Sequence, residues 1–261
     1  MSGTIIVIDG LDACGKATQV EQLRKYYLAK GLIEGTDFAT VSFPRYEKSS
    51  SSLVKSYLSG EFGKSPDEID AYTASMIYAL DRAISFKTEQ WGEVYRNGGI
   101  VIADRYTSSN IIHQVGKFLM DDDNLIKTVY EEGRYFPSHF TSNPIFERFV
   151  KWVNDTEFGK LGIPQPNLTI FLMTSKDINM SMLHNRNTTE VEGDIHELNT
   201  GYLDRCRFSL NAYAMYVTLK DIPNVSFLQV YDHTGPLPIN VVTNMITSII
   251  ESFGYRDKRD M

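Results

Sequence analysis

Short apolar runs alternate with longer amphipathic segments along this chain. Runs rich in isoleucine, valine and phenylalanine are typical of strands that are buried on both faces of a parallel sheet. Such runs lie at residues 4–8, 38–42, 100–103, 168–173 and 225–230. In the segments at 69–86 and 194–219, apolar side chains recur every three or four positions, which is typical of helices. The alternation predicts an α/β fold, a five-stranded parallel sheet with right-handed crossovers and helices on both faces.

Two stretches interrupt this alternation. Residues 119–157 are polar, contain scattered aromatic side chains and are longer than a usual crossover, so we interpret them as an insertion with its own helix or two. The segment at 184–194 has no apolar period, which indicates a loop between helices. A length of 261 residues then favours one domain, 1–261, that carries an insertion, over two equal domains.

Composition narrows the class of protein. A hydrophobic share of 42% and a charged share of 23% exclude disordered and coiled-coil chains. No apolar run approaches the ~18 residues that a membrane span needs, and the N-terminus lacks the pattern of an export signal. The two cysteines, Cys14 and Cys206, form neither a disulfide framework nor metal-ligand spacing. We therefore expect a cytoplasmic protein that does not bind membranes.

The charge balance limits the choice of ligand. A net charge of −7 argues against binding to nucleic acid, because that interaction needs a basic surface along the phosphate backbone. A small phosphorylated ligand needs only a few local cations and backbone N–H groups, so it remains compatible with this charge.

A glycine-rich segment joins the first predicted strand to a predicted helix at residues 18–29. Residues 10–16 read GLDACGK and match the phosphate-binding pattern G-x-x-x-x-G-K. The pattern continues with serine or threonine, but this chain has Ala17 at that position. Such a loop directs backbone N–H groups and a helix N-terminus at an anion, and Lys16 would reach the β- and γ-phosphates of a nucleoside triphosphate. Without the hydroxyl, Mg²⁺ would depend on carboxylates, water and the phosphates. A glycine turn without a ligand is the alternative.

Other candidate residues follow predicted strands or share a helix face. Asp104 and Arg105 end the third strand, where an acid can organise Mg²⁺ and a guanidinium can bind phosphate, although a solvated strand end is equally compatible. The sequence FPRY at 43–46 follows the second strand at the same edge. Tyr78 and Arg82 lie four apart on one helix, so they could stack on a base and hydrogen-bond its edge. A core aromatic with a surface arginine is the alternative there.

Taken together, these motifs resemble bacterial thymidylate kinases, members of the P-loop nucleoside monophosphate kinases. The motifs are GLDACGKATQ at 10–19, FPRY at 43–46, YALDR at 78–82, DRYTSSN at 104–110, DIHE at 194–197 and GYL at 201–203. The likeness extends to about residue 118 and from about 158 to 219, and leaves the insertion unmatched. It implies transfer of the γ-phosphate of ATP to dTMP, giving dTDP and ADP in dTTP biosynthesis, with Mg²⁺ as cofactor and a homodimer as the assembly.

The resemblance also implies roles for single residues on the donor side. The loop residues that would bind ATP are Gly10, Asp12, Ala13, Cys14, Gly15, Lys16, Ala17 and Thr18. The catalytic residues would be Lys16, Arg105, Arg186 and Asp12. The segment at 184–194 matches the family's lid and contains Arg186. Asp12, Asp104 and Glu197 would serve the metal.

On the acceptor side, Arg45 and Arg105 would hold the 5′-phosphate with Tyr46 alongside. Tyr78 would stack on the base, Arg82 would donate to thymine O4, and Asn110 or Gln114 would meet the N3 and O4 edge. His113 stands where some members place a tyrosine under the sugar. The full acceptor set implied by the resemblance is Asp12, Phe43, Arg45, Tyr46, Tyr78, Arg82, Arg105, Asn110, His113, Gln114 and Glu197.

Departures from the family pattern keep other functions open. Ala17 lacks the hydroxyl, and Ala13 leaves the loop without the arginine that one subgroup uses, so Arg186 would have to supply that cation. A kinase for another nucleotide or deoxynucleoside has the same fold. A P-loop module that binds a nucleotide without turnover is the remaining alternative, and Ala17 motivates it.

Overall fold

The computed structural model describes residues 2–119, 144–187, 195–196 and 199–254, without the side chains of 119 and 185–187. A five-stranded sheet forms the centre of this part of the chain, in the order β2-β3-β1-β4-β5, and all its pairings are parallel. The strands are β1 Thr4–Gly10, β2 Phe38–Ser42, β3 Ile100–Asp104, β4 Leu168–Met173 and β5 Val225–Gln229. A short antiparallel pair, β6 Tyr231–Asp232 and β7 Gly235–Pro236, follows. The predicted parallel sheet is confirmed.

Helices connect the strands and cover both faces of the sheet. They are α1 Lys16–Ala29, α2 Ser52–Leu58, α3 Ala71–Thr88, α4 Gln90–Arg96, α5 Thr107–Val115, α6 Pro144–Asn154, α7 Lys176–Asn187, α8 Thr200–Leu219 and α9 Ile239–Ser252. Short 3₁₀ turns lie at Ser49–Ser51, Pro66–Glu68 and Gly116–Leu119, and a π-helical segment, Asp155–Lys160, continues α6. No helix in the described ranges combines the length and the apolar character needed to cross a bilayer.

Each central strand is buried on both of its faces, which explains the uninterrupted apolar runs. Ile6 and Ile8 of β1 belong to the core under α1 and α9, where they join Leu23 and Ile246. The alternate residues, Ile5 and Val7, belong to the core on the opposite face. There they meet Trp91 and Val94 of α4. Side chains of a strand alternate between faces, so a strand covered on both sides must be apolar at every position.

The topology brings three strand ends together. β1 lies between β3 and β4, and Ile8 of β1 and Ser42 of β2 both pair in register with Asp104 of β3. The chain leaves β1 towards β2 on one side and reaches β4 on the other, which makes the C-terminal end of β1 a switch point of the sheet. Ligands of open α/β folds bind in the crevice at such a point.

The termini of several elements differ from the predicted ones. The first helix begins at Lys16 instead of residue 18, and α3 runs over 71–88 because Asp70 caps it by accepting from the amides of Tyr72 and Thr73. The prediction that the last long helix begins at 194 is wrong. Ile195 and His196 form a turn, and Asn199 caps α8 by accepting from the amide of Tyr202 at 2.9 Å.

The predicted insertion is described only in its second half. Residues 144–154 form α6, whose apolar side packs Phe146, Phe149 and Val153 against α5 and α8. This agrees with the prediction of an extra helix, while residues 120–143 lie outside the described part. Within the predicted lid, residues 188–194 lie outside it as well.

A glycine at a crowded turn gives a test of this packing. A Cβ at Gly92 would lie 1.9 Å from the backbone carbonyl oxygen of Phe86, which is too short for any contact. Because backbone must shift to relieve it, Gly92→Ala should lower the free energy of unfolding by about 2 kcal/mol or more. Gly159→Ala is the matched control, since a Cβ there meets no heavy atom within 4 Å. Urea unfolding of both variants measures the difference, and equal stabilities would contradict the packing described.

Candidate active site

A cavity of about 480 Å³ opens at the C-terminal edge of the sheet. The loop after β1, the ends of β2 and β3, and the helices α3 and α5 contribute its walls. Its lining residues are Asp12, Ala13, Gly15, Lys16, Ala17, Thr18, Ser42, Phe43, Pro44, Tyr46, Leu58, Tyr78, Asp81, Arg82, Asp104, Arg105, Ser109, Asn110, His113, Gln114, Met182 and His196. Most of the residues implied by the sequence therefore meet in one place.

The loop between β1 and α1 has the backbone of a phosphate site. Ala13 and Gly15 have positive φ, at 58° and 94°, and no side chain caps the N-terminus of α1. The N–H groups of the first helical turn are consequently available to an anion. The Nζ of Lys16 folds over the loop and donates to the carbonyl of Leu11 at 2.6 Å. The loop and its lysine are thus ordered around a concavity that suits phosphate.

Arg105 is held from two sides at the end of β3. Its Nη2 pairs with the carboxylate of Asp12, and its Nη1 hydrogen-bonds Nε2 of His113 at 3.0 Å. Arg105 has φ of 64°, a left-handed conformation that is strained for a residue with a side chain and that is common at functional sites. Burial by itself would raise the pKa of Asp12, but Arg105, His113, Lys16 and His196 together outweigh burial and hold that pKa well below its usual range. Asp12 therefore stays ionised beside the phosphate loop.

Asp104 presents an unused carboxylate oxygen. No hydrogen-bond partner of its Oδ1 is found within the described residues, although the atom is buried. Burial raises the pKa of Asp104, against the attraction of Lys16 and Arg105. In the described part of the chain no group of three or more histidine, cysteine or acidic side chains could hold a metal by itself. The unused oxygen fits Mg²⁺, which usually takes one or two carboxylates and completes its coordination with water and substrate phosphates.

A buried ion pair supports the cavity wall that Arg82 lines. Arg82 is only 2% exposed, and its Nε and Nη2 donate to Oε2 and Oε1 of Glu157 at 2.6 and 2.7 Å. Asn110 donates from Nδ2 to the same Oε1 at 2.7 Å. Glu157 lies in the segment that showed no likeness to the family, and nothing near it in sequence signals its role. Sequence reasoning missed it for that reason.

Aromatic and acidic side chains of α3 and the FPRY loop complete the walls. Tyr78 and Tyr46 line the cavity, and Tyr46 is 47% exposed. Asp81 accepts from the amide of Arg45 at 2.8 Å and from the hydroxyl of Ser50, so it fixes the backbone of this loop. Asp81 was not predicted from the sequence as a site residue, although Asp81 belongs to the YALDR motif.

Arg45 does not line the cavity in this structure. Its Nε and Nη2 form an ion pair with the carboxylate of Glu89, with a shortest distance of 2.5 Å. The expected contact of Arg45 with the acceptor phosphate therefore does not follow from this geometry, because a carboxylate already satisfies the guanidinium. Gly10 and Cys14 also lie outside the cavity lining. Gly10 has φ of 141° and faces the carbonyl of Leu172, so its part is to allow close backbone approach.

Two polar residues of α5 face the cavity near Arg105. Gln114 is fully buried, and neither its Oε1 nor its Nε2 has a hydrogen-bond partner within the described residues. His113 stacks near His196, with 6.3 Å between ring centres. His196 belongs to the DIHE motif but was not predicted as a site residue.

Two predicted residues remain untested, because the side chain of Arg186 and all of Glu197 lie outside the described part of the chain.

The buried His113 makes stability depend on pH. Burial and Arg105 lower its pKa to about 4, with Asp12 opposing them. The unfolded chain takes up a proton near the ordinary value of 6.5, so it binds more protons than the folded state between these two values. Stability is therefore full above pH 6.5 and falls as the pH drops towards 4.

We expect His113→Gln to remove the part of this loss in unfolding free energy that His113 causes. That part is on the order of 3 kcal/mol between pH 7 and pH 4. Urea unfolding at a series of pH values measures the slope for wild type and variant. Some slope should remain in the variant, because burial also lowers the pKa of His196. Parallel curves for the two proteins would show that His113 is not held neutral in the folded state.

Comparison with known proteins finds relatives of this chain. Residues 8–131 match the family model described as thymidylate kinase. Thymidylate kinase of Mycobacterium tuberculosis (strain H37Rv) is 29% identical over 175 residues, which cover 67% of each chain. That of Prochlorococcus marinus (strain NATL2A) is 35% identical over 133 residues, which cover 49% of this chain and 58% of that one. The chain thus spans between about half and two thirds of these relatives.

The fold has a counterpart in a solved structure. The structure of thymidylate kinase from Candida albicans superimposes with a TM-score of 0.62 at 20% identity, over 96% of this chain and 92% of that one. At this identity the likeness concerns the fold, which is that of the P-loop nucleoside monophosphate kinases. The resemblance inferred from the motifs is confirmed, since residues 8–131 match the thymidylate kinase family model.

Proposed function

We propose that the protein is an ATP-dependent thymidylate kinase, which transfers the γ-phosphate of ATP to dTMP and yields dTDP and ADP. One observation supports this most directly. The phosphate loop with Lys16, the cation Arg105 and the base-facing pair of Arg82 and Asn110 line a single cavity. A nucleotide-binding loop alone would not need an arginine and an amide at the opposite end.

Lys16 and the N-terminus of α1 would bind the phosphates of ATP. Phosphoryl transfer requires positioning and neutralisation of charge more than covalent chemistry. The lysine is anchored by Leu11 and the helix supplies N–H groups, so both are arranged before a ligand enters. Arg186 would add a cation from the lid, as the resemblance implies. No protein nucleophile is needed, because a monophosphate oxygen is already nucleophilic.

Arg105 would bind the 5′-phosphate of the acceptor. Asp12 and His113 hold its Nη2 and Nη1, so the guanidinium has a fixed position between the phosphate loop and α5. Arg45 would contribute only after exchanging Glu89 for the phosphate, since the two side chains are paired. Tyr46 and Phe43 would border the same phosphate and sugar.

The base would lie between Tyr78 and the polar residues of α3 and α5. Nη1 of Arg82 remains for a ligand and would donate to thymine O4. Oδ1 of Asn110 also remains for a ligand. Gln114 has no partner within the described residues, so it would share the contact with the base edge. His113 would lie beneath the sugar.

Mg²⁺ is the cofactor that we propose. Asp104 and Asp12 would hold it, directly or through water, together with Glu197 if the resemblance extends to that residue. The ion would neutralise the triphosphate, which is its usual contribution to phosphoryl transfer. Ala17 supplies no ligand, and the unused Oδ1 of Asp104 is the available substitute.

The remaining parts of the proposal rest on the sequence. We propose a homodimer in the cytoplasm and a single domain over 1–261 with an insertion at 119–157 and a lid at 184–194. Support comes from the resemblance and from Cys14 and Cys206, which are both free thiols.

One assay distinguishes this function from its alternatives. ADP formation is measured with dTMP, dUMP, dCMP and thymidine as acceptors at fixed ATP and Mg²⁺. Preference for dTMP supports the proposal, and preference for another acceptor indicates a different nucleotide kinase. Binding of ATP with no turnover on any acceptor indicates a P-loop binding module.

Lys16→Met should lower kcat by at least about 100-fold, because a cation placed in advance at the transferring phosphate is lost. Coupled-assay kinetics measure the change. Lys25→Met is the matched control, since Lys25 lies on the same helix with its side chain 60% exposed. Wild-type turnover in a folded Lys16→Met variant would show that ATP does not bind at this loop.

The role of Asp104 can be separated from that of Ala17 by a Mg²⁺ titration of dTMP-dependent ADP formation. Asp104→Asn should raise the Mg²⁺ concentration for half-maximal rate by about 10-fold or more, since it removes the available carboxylate. Ala17→Thr restores only a hydroxyl, so it should change this Mg²⁺ concentration by less than Asp104→Asn does. Activity that appears only in Ala17→Thr would instead favour the nucleotide-binding module.

A further inference from the structure

Glu157 is a deeply buried carboxylate that the proposed reaction does not use. It is 1% exposed, and it lies in the π-helical segment that continues α6. Its two oxygens accept hydrogen bonds from Arg82, Asn110 and Thr107. An isolated ion pair would need only the arginine, so the additional bonds to α5 need a reason.

The bond to Asn110 determines which end of that amide faces the cavity. Nδ2 of Asn110 donates to Oε1 of Glu157 at 2.7 Å and to the carbonyl of Ser75 at 3.2 Å. Both partners are acceptors only, so neither could bond the amide oxygen. Asn110 therefore cannot rotate by 180° without facing two acceptors with its own acceptor. Its Oδ1 is the atom that remains for a ligand, and Asn110 lines the cavity.

Arg82 supplies the complementary group beside it. Its Nη2 shares Oε1 of Glu157 with Asn110, so the guanidinium and the amide are neighbours. Arginine has only donors, and Nη1 makes no hydrogen bond to any described residue. This end of the cavity thus offers an acceptor next to a donor, and both are held by the same carboxylate.

We propose that Glu157 is a positioning residue that selects the base, because it forces Asn110 to present only an acceptor. The inference rests on the proposed function and deepens it. A thymine or uracil edge has a donor at N3–H and an acceptor at O4, which complement Oδ1 of Asn110 and Nη1 of Arg82. Cytosine has an acceptor at N3 and a donor amino group at C4. Its N3 would therefore face the acceptor Oδ1 of Asn110, and its amino group would face the donor Nη1 of Arg82.

The chemistry of the carboxylate explains why glutamate is needed at this position. An ionised carboxylate accepts at both oxygens, whereas a glutamine has one acceptor and one donor. A glutamine whose Nε2 lay in the place of Oε1 would turn the oxygen of Asn110 towards itself and the Nδ2 towards the cavity. That arrangement removes the acceptor that complements N3–H of thymine and offers a donor to N3 of cytosine, while Nη1 of Arg82 still faces the cytosine amino group.

The test is the ratio of kcat/KM for dTMP to kcat/KM for dCMP in wild type and Glu157→Gln. We expect the ratio to fall by about 10-fold or more, chiefly through KM, because the loss concerns recognition of the base. The dissociation constants of dTMP and dCMP without ATP, measured by calorimetry, should change in the same direction. General loss of stability would lower both activities together and leave the ratio unchanged.

Asp67→Asn is the matched control for the loss of a carboxylate–arginine pair. Asp67 accepts from Nη2 of Arg205 with both oxygens at 2.7 Å, and neither residue lines the cavity. This variant should keep the wild-type ratio, whatever its stability. A drop in the ratio as large as that of Glu157→Gln would overturn the inference.

A double-mutant cycle tests whether Glu157 acts through Asn110. In an Asn110→Ala background, Glu157→Gln should change the ratio by less than about 2-fold, because no amide remains to be oriented. An equal change in both backgrounds, or no change in the single variant, would overturn the inference. Failure of the proposed function is separate, since it would appear as a wild-type enzyme without preference for dTMP.

Discussion

Buried and half-buried arginines at this edge of the sheet are paired with carboxylates, and the cavity is organised around that constraint. A guanidinium inside a protein is costly unless an acid compensates its charge and accepts its hydrogen bonds. Arg82 has Glu157, Arg105 has Asp12, and Arg45 has Glu89. Each pair fixes the position of a cation before any ligand enters, so little reorganisation is needed when a charged ligand binds.

The sheet decides where these pairs lie. Parallel strands end at one edge, so Asp12 after β1 and Arg105 after β3 line the same cavity, while Arg45 after β2 lies at that edge outside the cavity lining. The helices α3 and α5 then bring Arg82 and Asn110 to the opposite wall. We propose that the cavity has a phosphate-binding end and a base-binding end, which is the arrangement a nucleoside monophosphate kinase requires.

The two ends differ in whether their buried polar atoms have hydrogen-bond partners among the described residues. At the base end, Glu157 and Ser75 leave Asn110 one orientation. At the phosphate end, Asp104 contains a buried carboxylate oxygen without a partner among the described residues. Buried polar groups are usually hydrogen-bonded, so unpaired ones beside a cavity are the groups that a bound ligand or ion would satisfy.

Local patterns in the sequence were sufficient for the sheet and the phosphate loop, because strand burial, helix periodicity and loop spacing are properties of neighbouring positions. Most of the cavity residues were implied by the resemblance to the family. The family motifs also implied that Arg82, and Asn110 or Gln114, meet the base. Partners distant in sequence could not be found in this way. Glu157 lies 75 positions from Arg82, and Glu89 lies 44 from Arg45. Only the tertiary structure decides such contacts, because folding places side chains of unrelated segments together and the cost of burying their charges then selects the pairs.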